Sequence, residues 1–91
     1  MPLSLHTRLA TFACKDLAAN CPKTTGGTVH WLHQAGFWLA ELAAQPPTAF
    51  GMLKLISDMA LPYSLTMGMP LADAAQVLTE HMKLHQLTRQ S

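Results

Sequence analysis

The chain reads as all-α: a small four-helix bundle, up-down or orthogonal, with a short irregular connector at about 61–69. Three observations predict it. Apolar residues recur at helical spacing in four stretches. Punctuation that ends helices separates them, at Asn20-Cys21-Pro22, at Gln45-Pro46-Pro47 and from Pro62 to Pro70. The length of 91 residues suits one domain, so 1–91 is taken as a single helical domain.

The first helix is expected from Leu5 to Ala19, capped by Ser4, whose hydroxyl can accept from an orphan first-turn amide. Leu5, Leu9, Phe12, Ala13 and Leu17 fall on one stripe and are its expected core face. The residue before Pro22 avoids the α region, which ends the helix, and Lys23 to Gly27 reads as a flexible loop. The second helix is expected from an N-cap at Thr28 to about Ala44. Its polar stripe is narrow: His30, His33, Gln34, Glu41 and Gln45. Val29, Leu32, Ala35, Gly36, Leu39 and Ala43 form one apolar face, and Trp31, Trp38 and Leu42 an adjacent one. Phe37 interrupts the polar stripe.

The third helix is expected from a Thr48 cap to about Ala60, with Ala49, Met52, Leu53, Ile56, Met59 and Ala60 inward. Lys54 and Asp58 form an i, i+4 pair in the weaker orientation. From Leu61 to Met69 the chain reads as an ordered connector, in which alternating Tyr63, Leu65 and Met67 allow a short strand. The fourth helix begins near Pro70, a good first helical residue because it has no N–H to leave unsatisfied. Asp73 early and Lys83, His85 and Arg89 late complement its dipole. Leu71, Ala74, Ala75, Leu78 and Met82 are its expected inward stripe, with Val77 and Leu84 on a second ridge.

Composition narrows the function classes. Apolar residues make up 49% of the chain and charged ones only 12%, against about 25% charged in an ordinary soluble domain. That excludes intrinsic disorder, which needs low hydrophobicity and high charge. A net charge of +1 with dispersed basic residues excludes a strongly electrostatic nucleic-acid binder. The N-terminus lacks the basic-then-apolar order of a secretory leader, and no apolar run is long enough to span a bilayer. The expectation is a cytoplasmic, membrane-free protein in which Cys14 and Cys21 stay reduced.

The chemistry-bearing motifs are sparse. His30 and His33 at i, i+3, with His81 and His85 at i, i+4, share ligand-like spacing and are the weak candidates for zinc. Neither pair carries an HExxH glutamate, and no cofactor is expected. The carboxylates are scattered, so no catalytic residue is assigned and no enzyme is expected. Pro70-Leu71-Ala72-Asp73-Ala74-Ala75-Gln76-Val77-Leu78 looks like the first helix of a helix-turn-helix. The glycine turn that should follow is missing and the helical pattern runs on to Leu87, so nucleic acid is not the expected partner.

The informative signal is greasy surface. Trp31, Phe37 and Trp38 point in directions that one small core should not satisfy together. Tryptophan is enriched among interface hot spots, and methionine suits adaptable surfaces. Gly36 also lets another helix approach closely. Trp31, Gly36, Phe37, Trp38, Leu42, Tyr63, Met67 and Met69 are therefore the expected partner or dimer interface. The leading expectation is a non-catalytic regulatory protein, a homodimer, that binds a larger enzyme or transcription factor and sterically inhibits or redirects it. The alternatives are a DNA-binding regulator using the C-terminal helix and a histidine-based metal-binding bundle.

Overall fold

Thr24 starts the element that organises the molecule. Its extended backbone and its Oγ1, which accepts from the Gly27 N–H at 3.1 Å, cap a helix that runs from Thr25 to Ala43. The computed structural model describes residues 5–44 and 49–90. Its helices are α1 (Leu5–Ala19), α2 (Thr25–Ala43), α3 (Ala49–Met67) and α4 (Leu71–Gln90), and no strand occurs among the described residues. The four-helix, all-α reading is correct. The expected caps Ser4 and Thr48, and the Gln45-Pro46-Pro47 stop, lie outside the described residues.

The helices form a ring in the order α1, α2, α4, α3. α2 packs on α1 and α4, α3 packs on the same two, and α2 also reaches α3 across the middle. Among the described residues α1 and α4 do not pack on each other. α2 thus meets three helices, and this explains its broad apolar circumference.

Two boundaries differ from the sequence reading. α2 begins three residues before the expected Thr28 cap. Thr28 instead lies inside the first turn, buried, with its hydroxyl donating to the Thr24 carbonyl at 2.6 Å and the Pro22 carbonyl at 3.2 Å. More consequential, the expected connector at 61–69 is mostly helix, because α3 continues through Pro62 to Met67. An interior proline costs about 3 kcal/mol by removing a donor and crowding the preceding turn. The next residue offsets that cost: Tyr63 is only 5% exposed and its ring stacks on Trp31 at 5.4 Å and 6°. α3 stops at Gly68, whose φ of 65° suits glycine, and the Met69 N–H donates to the Ser64 carbonyl at 3.2 Å. Pro70 then leads into α4, its carbonyl accepting from the Ala74 N–H at 3.0 Å.

The core consists of Ala10 and Cys14 of α1, Trp31, Ala35, Leu39 and Leu42 of α2, Met52, Ile56, Met59, Ala60 and Tyr63 of α3, and Ala74 and Leu78 of α4. Of the expected inward face of α1, Leu17 packs against the core, but the Leu5, Leu9, Phe12 side is turned over. Thr7, Ala10 and Cys14 point in, whereas Leu5 and Phe12 are 64% and 71% exposed and Leu9 is exposed with them. Volume explains the reversal. The Trp31 indole is buried against α1, its Nε1–H donating to the Leu17 carbonyl at 2.7 Å, so α1 can approach only with small side chains. Leu53, Leu71 and Leu84, expected inward or on a packed ridge, are likewise exposed. Glu41, expected on the polar stripe, is buried.

Candidate functional site

The α1–α2 turn is built tightly. Asn20 closes α1, its N–H donating to the Leu17 carbonyl and its amide to the Asp16 carbonyl. A Cβ on Gly27 would lie 2.6 Å from Thr24 Oγ1 and 2.8 Å from Pro22 Cβ, so glycine is required for this close approach. The turn sets Lys23 and the start of α2 beside the last two turns of α3. Between them lies an open groove of about 320 Å³. Lys23, Thr25, Thr66 and Tyr63 bring polar groups to it, and Val29, Leu32 and Met67 supply apolar wall. An adjoining depression of about 470 Å³ shares Lys23 and Thr66 and adds Cys21 and Leu65. Burial, reinforced by Cys21 nearby, pushes the Tyr63 phenol above its ordinary range.

A second cluster lies where α2 crosses α4. Gly36 is buried under His81: a Cβ there would meet His81 Cβ at 2.9 Å and the His81 backbone at 3.0 Å. This approach sets the His33 and His81 rings edge to face at 5.7 Å and the Phe37 and His85 rings likewise at 6.0 Å. Burial holds His81 below the ordinary histidine value; charge on His33 and His85 adds to the effect, and Glu80 opposes it. His30 is exposed. Among the described residues no group of three or more His, Cys, Asp or Glu side chains is placed to hold one metal ion.

The expected interface residues separate into two sets. Trp31, Gly36, Leu42 and Tyr63 are buried, although Tyr63 also lines the groove. Trp38 is half-buried against the core, and its neighbour Phe37, 38% exposed, packs on it edge to face at 5.1 Å. Met69 is half-buried, while Met67 is exposed at the groove. Of the aromatics of α2, Trp31 alone is fully covered, by α1 and α3; Trp38 is half-buried and Phe37 stays exposed, while the contact with α4 covers Gly36.

No protein-family model, curated protein or solved structure matches this chain.

The largest outward apolar groups lie elsewhere. Leu5, Leu9 and Phe12 line α1 at i, i+4, i+7, directly opposite its core face, and Leu53, Leu61 and Leu65 are exposed on neighbouring α3. The stripe on α1 was visible in the sequence but assigned to the core. The groove was not visible, because Lys23 and Tyr63 are brought together only by the packing of α2 on α3. α4 is one uninterrupted helix, without the turn that a helix-turn-helix requires. No helix is long and apolar enough to cross a membrane among the described residues.

Proposed function

We propose that the protein is a small non-catalytic regulator that acts by binding another protein, and that it does so as a homodimer paired through α1. The observation that carries this reading is the Leu5, Leu9, Phe12 stripe, turned away from the core on a chain with few charges. Its spacing is that of a helix–helix seam. An antiparallel pairing of α1 with a second copy, centred on Phe12, also places Arg8 opposite the partner's Asp16 on both sides of the axis. Both residues are exposed and so available for that pairing. The outer leucines of α3, next to α1, would widen the contact toward the roughly 800 Å² per subunit of a standard interface. A steric regulator needs only such a surface on a small rigid body.

Sedimentation equilibrium tests it. The natural protein should be dimeric at micromolar concentration, and Phe12→Glu monomeric with unchanged helical circular dichroism. Arg8→Glu should weaken the dimer a few-fold, the scale of an exposed ion pair of about 0.2–1 kcal/mol. Adding Asp16→Arg should restore it. A natural protein that stays monomeric, or a charge swap that restores nothing, removes the α1 pairing.

A further inference from the structure

We infer that the groove between the start of α2 and the end of α3 binds a small organic anion, a carboxylate carried on a short apolar body. This stands apart from the α1 pairing and uses none of its residues. The charge preference comes first. Lys23 is the only charged residue lining the groove, and it makes no ion pair with the described residues. The first turn of α2 adds to it. Thr24 takes the Gly27 and Thr28 N–H groups, while those of Thr25, which lines the groove, and of Gly26 have no such partner among the described residues. Unsatisfied first-turn amides and the helix dipole both favour negative charge.

A second observation, independent of the helix end, points to a ligand. Tyr63 is 5% exposed, yet its hydroxyl makes no hydrogen bond to the described residues. No fully buried polar side-chain atom among the described residues is without a partner, so this hydroxyl is not fully enclosed, and Tyr63 lines the groove. Its ring is fixed by the stack on Trp31, and the O–H is thus a positioned donor with no acceptor among the described residues. The Thr25 and Thr66 hydroxyls lie on the same groove. The side chains of Lys23, Thr25, Tyr63 and Thr66 can each donate a hydrogen bond there, and no carboxylate is among the described lining residues.

The apolar wall sets the rest of the ligand. Val29, Leu32 and Met67 lie beyond the polar rim, and a volume of about 320 Å³ is at the small end of ligand pockets. A bare inorganic anion would leave that wall uncovered. A short-chain or single-ring carboxylate covers it while its head group meets Lys23, the α2 amides and the Tyr63 hydroxyl.

The test is a ¹H–¹⁵N titration of the full chain with sodium hexanoate at constant ionic strength, following the Thr25 and Gly26 amides and the Trp31 indole N–H. These signals should shift and saturate in the millimolar range. Lys23→Gln should weaken binding about tenfold, the scale of a charge-assisted hydrogen bond. Tyr63→Phe, which keeps the stacked ring, should weaken it several-fold. 1-Hexanol should leave the Thr25 and Gly26 amides unmoved, and inorganic phosphate should bind more weakly than hexanoate. An absence of saturable shifts overturns the site. So does a Lys23→Gln titration equal to that of the natural chain, or hexanol acting like hexanoate. Phosphate binding as tightly as hexanoate overturns the apolar half of the assignment. Because Lys23 is exposed, its variant keeps the test valid even if Tyr63→Phe fails to fold.

Discussion

Cys14 and Cys21 are both free thiols, yet their surroundings give them different chemistry. Cys14 is buried against α2 and α3, and burial pushes its thiol up to about 12, because a thiolate there would lose its hydration. Cys21 is only partly buried, at the mouth of the adjoining depression. Iodoacetamide at mildly alkaline pH should therefore modify Cys21 alone in the folded protein and both residues in denaturant, as peptide mass spectrometry would read directly. Gly36 carries a different constraint. Its missing side chain lets α2 meet the His81 backbone, and backbone cannot swing aside as a flexible side chain can. Gly36→Ala gains helix propensity of up to about 1 kcal/mol but overpacks the crossing at a cost of about 1–3 kcal/mol. The clash should win, and urea unfolding should report net destabilisation.

At the scale of a helix, α3 holds an element its local sequence argues against. Pro62 withholds an N–H from the turn before it and crowds that turn, but the α3 segment beyond it carries the Tyr63 ring into the Trp31 stack. Pro62→Ala should therefore stabilise the protein. About 3 kcal/mol of helix penalty is relieved, partly offset by about 0.4–1 kcal/mol of added freedom in the unfolded chain. Chemical denaturation should give a net gain of about 2–2.6 kcal/mol, and a loss would mean that the proline fits α3 without penalty. The same residue marks where the sequence is a poor guide. α1 and α4 are legible almost to the residue because spacing and punctuation agree there. Pro62 mimics a stop, and only the long-range Trp31 contact reveals that the helix continues. The α1 stripe fails for a related reason. Leu5, Leu9 and Phe12 have the right period for a core face, but period fixes a face without saying which way it turns. The bulk of Trp31, from another helix, decides that. Phe37 was placed correctly near the surface, whereas the groove polar groups lie some forty residues apart along the chain and share no pattern.

Across the whole molecule, the α2–α4 crossing couples stability to pH. His81 is held below its ordinary value of 6.5 by burial, with His33 of α2 and His85 of α4 adding to the effect and Glu80 opposing it. The unfolded chain thus binds this proton more readily than the folded one. The stability contributed is complete above about pH 6.5 and falls as the pH drops through and below that value. The melting temperature should drop between about pH 7.5 and pH 5.5. His81→Gln should flatten the curve, and a natural protein with a flat profile would contradict the buried-imidazole account. The radius of gyration, 12.6 Å, is close to the ~12 Å of a compact chain of this length, so the loss should appear as one cooperative transition.

The empty diagonal of the ring has its own consequence. Among the described residues α1 and α4 each rest on α2 and α3 but not on each other. Either can therefore detach as a unit while the other keeps its whole docking surface. Such a molecule has two separate sub-global openings, and the cheaper one belongs to the helix with the weaker seat. α1 seats itself through Ala10, Cys14 and the half-buried Leu17 and leaves Leu5 and Leu9 outside, so its amides should exchange first. A second copy laid along those leucines would act as a clasp, closing the opening through which the bundle begins to come apart.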